Sequence, residues 1–238
     1  MQTHILAFGA HPDDIELSAG GTIAALVSLQ KKVAIVDLTR GELGTRGTAD
    51  LRDIEAANAS KVLGLTQRVN LDLGDGFFEQ NNNSLIKIIE QIRFFRPEII
   101  LANAVSDRHP DHGRGSELVK RACYLSGLHK IQTQLNGVNQ EAWRPKAVYH
   151  YIQDNFIEPS FVVDITGFEE IKLKAIGCYT SQFYNPNSTE PETKISSPEF
   201  IEFIKSRMIQ MGRCINVKSG EGFTVDRPIG ISNPLQFI

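Results

Sequence analysis

A short apolar run leads directly into a charged turn in the stretch His4-Ile5-Leu6-Ala7-Phe8-Gly9-Ala10-His11-Pro12-Asp13-Asp14. The run ends at a glycine, and its length and composition predict a buried first β-strand. The turn then places one imidazole and two adjacent carboxylates at the end of that strand. Adjacent carboxylates repel each other, and in a cleft each of them needs water, a partner or a cation. A divalent metal ion would meet that need.

A matching segment, His109-Pro110-Asp111-His112, follows another predicted strand much later in the chain. A catalytic zinc ion uses three protein ligands and a water molecule, and His11, Asp14 and His112 can supply such a set. Since the chain has no Cys-x-x-Cys pair, two imidazoles and a carboxylate suit Zn²⁺, although Fe²⁺ or Co²⁺ would also bind. We expect the two segments to meet in space and form one metal site.

Three charged or titratable residues beside these ligands are not needed to hold a metal. Asp13 is suited to act as a general base towards a water that the metal activates. His109 could stabilise an oxyanion and protonate a leaving amine if Asp111 accepts its ring N–H and keeps the imidazole charged. Each segment alone is also compatible with an ordinary turn, but the pair favours a metal site.

The other three histidines are expected to be packed or solvated side chains and not ligands. They are His4, His129 and His150.

Short apolar runs alternate with longer amphipathic runs along the chain. Strands are predicted at His4–Gly9, Val33–Leu38, Arg68–Leu73, Glu98–Asn103, Ala147–Ile152 and Phe161–Ile165. Helices are predicted from a Ser18 cap to Gln30, from Asp50 past Val62, from a Ser84 cap to Pro97, and at Gly115–Leu125, Phe168–Tyr179 and Pro198–Met211. This alternation predicts an α/β fold with a mostly parallel sheet, helices on both faces, and ligands at the carboxyl ends of the strands.

Composition narrows the possible classes of protein. The chain has 238 residues, of which 41% are hydrophobic, and this fits one domain over residues 1–238. The polar stretch Gly127–Pro145 is long enough to be an insert or a lid, and the tail from Arg213 is expected to be mostly irregular. A net charge of −3 gives no bulk attraction to nucleic acid or anionic lipid.

The sequence disfavours several kinds of segment and several classes of protein. The chain lacks an apolar run long enough for a membrane span and begins without a signal-peptide pattern, so we expect a cytoplasmic protein. Its cysteines are predicted to be reduced thiols, at Cys123, Cys178 and Cys214. A nucleotide-binding module is disfavoured because the first strand is not followed by a Gly-x-Gly-x-x-Gly loop. A non-catalytic metal store would leave Asp13 and His109 unexplained.

Together, Ala10–Asp14 and His109–His112 resemble the LmbE-like, or PIG-L, family of metal-dependent N-acetyl-sugar deacetylases. Other stretches resemble its bacillithiol-pathway branch, namely Thr39–Thr48, Arg52, Glu55–Ala57, Leu71–Phe77, Ser160–Ile165 and Ser181–Phe183. The resemblance implies a Rossmann-like fold, one zinc ion per subunit, and trimers or hexamers. The implied reaction is hydrolysis of N-acetylglucosaminyl-malate to glucosaminyl-malate and acetate. The alternative is deacetylation of another N-acetylated sugar, of the chitobiose type or linked to inositol.

The resemblance also implies roles for individual residues. It matches His11, Asp14 and His112 to the metal ligands, Asp13 to the general base, and His109 with its partner Asp111 to the stabilising acid. It further matches two positions, Arg52 and Asp75, to contacts with the sugar or its aglycone.

The pattern of residues alone leaves the substrate contacts open. Arg52 is compatible with binding a substrate carboxylate or with pairing to Glu55, and only the resemblance favours the first. Arg108 is compatible with meeting an acidic substrate or with pairing to Asp107. The chain departs from the family at Ser219, where many relatives carry a tyrosine with a longer reach.

Overall fold

A seven-stranded sheet forms the centre of the computed structural model, which describes residues 1–233 and 235. The strands are β1 (Ile5–Gly9), β2 (Val33–Asp37), β3 (Gln67–Asn70), β4 (Ile99–Ala102), β5 (Gln134–Leu135), β6 (Val138–Asn139), β7 (Ala147–Tyr151), β8 (Phe161–Asp164) and β9 (Gly220–Val225). The helices are α1 (Asp14–Ser28), α2 (Ala49–Leu63), α3 (Asn82–Phe95), α4 (Pro110–Ser126), α5 (Glu169–Ile176) and α6 (Pro198–Cys214).

The strand order places the two histidine segments next to each other. The sheet runs β3-β2-β1-β4-β7-β9-β8, with β5 and β6 forming a separate hairpin. Strands β3, β2, β1, β4 and β7 pair in parallel, whereas β9 is antiparallel to both of its neighbours. Because β1 pairs with β4, the segments that follow these strands leave the same edge of the sheet side by side. The predicted α/β fold with a mostly parallel sheet is confirmed.

The core lies on both faces of the sheet. Alternate residues of β1 point to opposite faces: Leu6 and Phe8 join a cluster with α3 and α4, while Ile5 and Ala7 join another with α1. Helices therefore cover both faces, as the sequence predicts. Among the described residues, no helix combines the length and hydropathy that a membrane crossing requires.

Helix α1 begins earlier than predicted. It starts at Asp14, so Ser18 lies inside the helix and does not cap it. The pair Gly20-Gly21 disfavours a helix when judged from sequence alone. In the structure, the Glu221 carboxylate accepts hydrogen bonds from the N–H groups of Gly21 and Thr22, at 3.0 and 2.7 Å. A residue far along the chain thus supports the helix where local propensity is weakest.

Two other helix starts and the chain's tail also differ from the predictions. The cap of α3 is Asn81, whose side chain accepts from the N–H of Ser84 at 3.0 Å. Helix α4 begins at Pro110 and not at Gly115, because proline suits the first helical position. The tail beyond Arg213 is not mostly irregular, since β9 completes the sheet between β7 and β8.

The Gly127–Pro145 stretch is an insert but not a lid. It contains the β5–β6 hairpin, and it is held against α3 by Arg93, which donates to Ile131 O at 2.8 Å and to Thr133 Oγ1 at 2.9 Å. Its Trp143 donates to Pro97 O at 2.8 Å. No residue of this stretch lines the cavity at the carboxyl edge of the sheet.

A buried ionic cluster anchors α1 to the sheet. The Arg68 guanidinium donates two hydrogen bonds to the Asp37 carboxylate, at 2.6 and 2.8 Å, and one to Glu16 at 2.5 Å. Tyr179 also donates to Glu16, at 3.0 Å. Asp37 ends β2, Arg68 lies on β3, and Glu16 lies on the first turn of α1, so the cluster ties these three elements together.

Replacing Arg68 should destabilise the fold strongly. We expect Arg68→Met to lower the free energy of unfolding by about 3–5 kcal/mol, because two buried carboxylates lose their cation. The matched control is Lys146→Met, whose 75% exposed side chain pairs with Glu98 and should matter little. Urea unfolding followed by circular dichroism measures both changes. Equal effects of the two substitutions would contradict the proposed anchoring.

Candidate metal centre and active site

Three imidazole rings meet where β1 and β4 end. The ring centroids of His11 and His109 are 4.7 Å apart, those of His109 and His112 are 5.1 Å apart, and those of His11 and His112 are 5.7 Å apart. One nitrogen from each ring lies within 4.8 Å of the others. The two segments therefore come together as the sequence predicts.

The Asp14 carboxylate lies between two of these rings. Its Oδ1 is 3.0 Å from His112 Nε2, and its Oδ2 is 3.7 Å from His11 Nδ1. Burial alone would raise the pKa of Asp14, but His112 and His11 hold it well below its usual range. A buried, ionised carboxylate flanked by two imidazoles is a donor set that fits Zn²⁺ or another divalent transition metal.

A second group of metal-binding side chains shares His11 with the first. His11 Nε2 lies 2.9 Å from Asp75 Oδ1 and 3.5 Å from Asp111 Oδ2. These three side chains also fall within the spacing of a metal site. His11 thus faces Asp14 through one ring nitrogen and the Asp75–Asp111 pair through the other, and the predicted ligand set of His11, Asp14 and His112 remains a prediction.

Two amides outside the motifs hold Asp14 in place, and the sequence analysis did not select them. Asn103 Nδ2 donates to Asp14 Oδ2 at 2.9 Å, and Gln153 Nε2 donates to Asp14 Oδ1 at 3.1 Å. Asn103 also donates to Gln153 Oε1, at 3.0 Å. Asn103 follows β4 and Gln153 follows β7, so the sheet positions them. Their only sequence signal is a polar residue at the end of each apolar strand.

Asp107 orients the third imidazole. Its Oδ2 lies 2.5 Å from His112 Nδ1, and its Oδ1 accepts from the N–H of Asn155 at 2.6 Å. Burial lowers the pKa of His112, but Asp14 and Asp107 outweigh it and raise the pKa to about 9. A carboxylate on the far nitrogen of a metal-binding histidine fixes its tautomer and orientation. Arg108 does not pair with Asp107 but with Asp154, at 2.7 Å.

Asp13 and Asp14 have very different surroundings. Asp13 has a φ of 114°, in a region that non-glycine residues seldom adopt. Burial raises the pKa of the Asp13 carboxyl to about 7, although Arg52 opposes the shift. A carboxyl group with a pKa near neutrality is well matched to accepting and returning a proton. Strained backbone of this kind is often found at functional sites.

Arg52 binds Asp13 through one of its nitrogens and also lines the cavity, so its role as a substrate contact stays a prediction. Its Nη2 donates to Asp13 Oδ2 at 3.1 Å and also to Pro12 O. Gly41, with a φ of 65°, packs against the guanidinium, and a Cβ at this position would lie 3.0 Å from Arg52 Cζ. A side chain larger than glycine's would therefore displace Arg52. The predicted pairing of Arg52 with Glu55 is not present, since Glu55 instead accepts from Ser181.

His109 is held differently from the prediction. It is the N-cap of α4, and its Nδ1 accepts from the backbone N–H of Asp111 at 3.3 Å. The Asp111 carboxylate instead accepts from Gly76 N at 2.8 Å and from Arg114 at 3.0 Å. Burial and the charges of His11 and His112 lower the pKa of His109. The ring is therefore oriented as a neutral imidazole whose Nε2–H remains available as a donor.

One cavity of about 490 Å³ joins these groups. The predicted site residues that line it are His11, Asp13, Asp14, Arg52, Asp75, Arg108, His109 and His112. Asp111 is fully buried behind them. Ser219 is not among the lining residues, and it donates to Glu169 at 2.8 Å, so the serine at this position does not face the cavity.

Asp107 should control metal affinity without touching the metal. We expect Asp107→Ala to weaken Zn²⁺ binding by about 10–100-fold, because His112 loses the partner that fixes its tautomer. Competition titration against a chromophoric chelator measures the affinity. The exposed Asp164→Ala variant is the matched control and should bind Zn²⁺ as the unsubstituted protein does. Unchanged affinity in Asp107→Ala would contradict a metal-binding role for His112.

Known proteins similar to this chain include a family whose model covers both histidine segments. The model of the family PIG-L, described as GlcNAc-PI de-N-acetylase, matches residues 6–123, which contain both histidine segments. YaiS, an uncharacterized deacetylase of Escherichia coli (strain K12), is 39% identical over 114 residues, which are 45% of this chain and 61% of YaiS. This match therefore spans less than two thirds of YaiS.

Longer matches cover most of the fold. The diacetylchitobiose deacetylase of Thermococcus kodakarensis is 28% identical over 75% of this chain and 70% of its own. The 4-oxalmesaconate hydratase of Pseudomonas putida KT2440 is 24% identical over 76% of this chain and 74% of its own. The crystal structure of the conserved protein TT1542 from Thermus thermophilus superposes with a TM-score of 0.86, at 32% identity over 98% of both chains. The chain belongs to the PIG-L family.

Proposed function

We propose that the protein is a metal-dependent N-deacetylase, which hydrolyses the acetamide of an N-acetylated amino sugar to a free amine and acetate. The observation that carries this proposal is the pair of adjacent carboxylates in one cavity. Asp14 lies between two imidazoles and is kept ionised, while burial raises the pKa of Asp13 to about 7. Adjacent carboxyl groups with separated pKa values divide the tasks of ligand and general base.

Each residue then has a task in hydrolysis. His11, Asp14 and His112 would hold the metal ion, which when bound lowers the pKa of water and polarises the carbonyl. Asp13 takes a proton from the attacking water and returns one to the departing nitrogen. His109 donates its Nε2–H to the developing oxyanion, and a neutral imidazole is sufficient for that hydrogen bond. Arg52 keeps Asp13 directed into the cavity.

For the sugar conjugate we propose N-acetylglucosaminyl-malate, in bacillithiol biosynthesis, with a chitobiose-type or inositol-linked sugar as the alternative. The malate proposal rests on the stretches that resemble the bacillithiol branch. Both arginines already pair with an aspartate, but the Arg108 side chain is 46% exposed and that of Arg52 only 5%, so we assign the malate carboxylates to Arg108. To Asp75, which lines the cavity and contacts His11, we assign the acceptance of hydrogen bonds from sugar hydroxyls.

Three further proposals accompany the deacetylase. We retain one Zn²⁺ per subunit, with Fe²⁺ or Co²⁺ as alternatives, a homo-oligomer that is a trimer or hexamer, and a cytoplasmic location. We also propose one domain over residues 1–238, of which residues 234 and 236–238 lie outside the described part of the chain. Metal analysis and light scattering of the purified protein test the first two of these directly.

Removing the Asp13 carboxylate should abolish turnover but not metal binding. We expect Asp13→Asn to lower acetate release from N-acetylglucosaminyl-malate by about 10²–10⁴-fold, the range for loss of a general base. Its zinc content should stay at one ion per subunit. The exposed Asp72→Asn variant is the control and should retain full activity. Equal rates in Asp13→Asn and unsubstituted protein would refute the assigned base.

Substitutions of Arg108 and Arg52 should differ in how they affect the turnover of acidic and neutral substrates. We expect Arg108→Ala to raise the KM for N-acetylglucosaminyl-malate by roughly tenfold relative to that for diacetylchitobiose, because a charged hydrogen bond is lost. Arg52→Ala should lower kcat for both substrates, because Asp13 loses its partner. Exposed Arg121→Ala is the control. A selective loss of malate turnover in Arg52→Ala would instead support Arg52 as the carboxylate anchor.

A further inference from the structure

The cavity has two chemically different sides. Loops that follow β2 and β3 supply one side, which carries the Asp75 carboxylate together with Gly41, Leu43, Gly44 and Thr45. Helix α6 supplies another side and packs against β9 and β8. In the sheet order, β2 and β3 lie to one side of β1 and β9 and β8 to the other, so the metal centre lies between a polar and an apolar wall.

The apolar wall consists of side chains that recur at helical spacing along α6. Phe200, Ile204, Met208 and Met211 follow one another along one face of α6 and are all at least nine-tenths buried. The same four side chains line the cavity that holds the histidines. Phe203 lies beside them and is 37% exposed at the cavity rim.

This wall offers little hydrogen bonding to a sugar. Arg207 also lines the cavity, but it donates to the backbone oxygens of Gln153 and Asp154, at 3.2 and 3.0 Å, and lies over the ring of Phe203. The cation is thus held at the mouth by the protein itself. Sugar hydroxyls placed against α6 would lose their hydrogen bonds to water without replacement, which is costly.

We infer that the apolar wall of α6 binds the acyl chain of the substrate amide, and that the enzyme removes N-acyl groups longer than acetyl in addition to acetyl itself. This inference rests on the proposed deacetylase function. An N-acyl amino sugar has one polar and one apolar side, and the matching placement sets the sugar against the loops after β2 and β3 and the chain against α6. The four lining residues extend from Phe200 to Met211, which is about three turns of α6, and an acetyl methyl group reaches only a small part of that length.

The reaction balances as ordinary amide hydrolysis. The C–N bond of the amide breaks and a C–O bond forms from water, whose protons go to the amine and to the solvent. The products are a free amino sugar and a fatty carboxylate. Water is the co-reactant, and no oxidant or reductant is involved.

The test compares N-octanoylglucosamine with N-acetylglucosamine, and both release glucosamine. We expect kcat/KM to be at least about tenfold higher for the octanoyl amide, since each methylene placed in an apolar pocket is worth that much or more. Met208→Gln should lower the octanoyl-to-acetyl ratio by at least about tenfold. Ile209→Gln, on the exposed face of the same helix, should leave both rates unchanged.

Other results would overturn the inference in distinct ways. Equal kcat/KM for the two amides would remove the acyl site but leave the deacetylase intact. A gain with octyl N-acetylglucosaminide and none with the octanoyl amide would assign the wall to the aglycone. If Met208→Gln fails to fold, the partly exposed Phe203→Gln provides the same comparison.

A binding measurement separates this inference from the proposed function. Calorimetry with the Asp13→Asn protein compares N-octanoylglucosamine with N-acetylglucosamine without turnover. Tighter binding of the octanoyl amide supports the acyl site even if no amide is hydrolysed. If no amide is hydrolysed and the two amides also bind with equal affinity, both the acyl site and the proposed deacetylase function are overturned.

Discussion

The position of the Asp14 carboxylate between His11 and His112 is the constraint on which the site depends. A buried carboxylate must be paired and hydrogen-bonded, or burial would neutralise it. The pairing of β1 with β4 supplies both imidazoles, because it brings the starts of α1 and α4 together. Asn103 and Gln153 then satisfy the remaining lone pairs of Asp14. The residues that contact Asp14 all follow the ends of strands, so the order of the strands in the sheet determines which side chains surround it.

The contrast between Asp13 and Asp14 follows from the backbone between them. Asp13 has a positive φ and its carboxylate pairs with Arg52, while Asp14 begins the helix and lies 3.0 Å from His112 Nε2. The Arg68 cluster fixes that helix a short distance further along, through Glu16. Two chemically identical side chains thereby obtain separate pKa values, and the fold provides the backbone strain and buried partners that keep them apart.

Local patterns predicted the fold and the meeting of the histidine segments, because apolar runs and strand-end charges are visible in the sequence. Long-range partners were not predictable in this way. Glu221 supports α1 through Gly21, and Asp107 orients His112, yet the sequence around neither residue shows which distant partner it contacts. The start of α4 was misplaced because His109–His112 was assigned to a loop, whereas Pro110 is the first residue of the helix. Arg52 stays a predicted substrate contact, and its contact with Asp13 was not visible in the sequence.

Anomalous diffraction at the zinc edge, from crystals grown with Zn²⁺, tests the central claim most directly. The account predicts a single peak at about 2.0–2.2 Å from a ring nitrogen of His11, an oxygen of Asp14 and a ring nitrogen of His112, the distances typical of zinc ligands. Asp13 should lie outside that shell. A peak bound by His11, Asp75 and Asp111 instead would contradict the assignment of Asp14 as ligand and Asp13 as base.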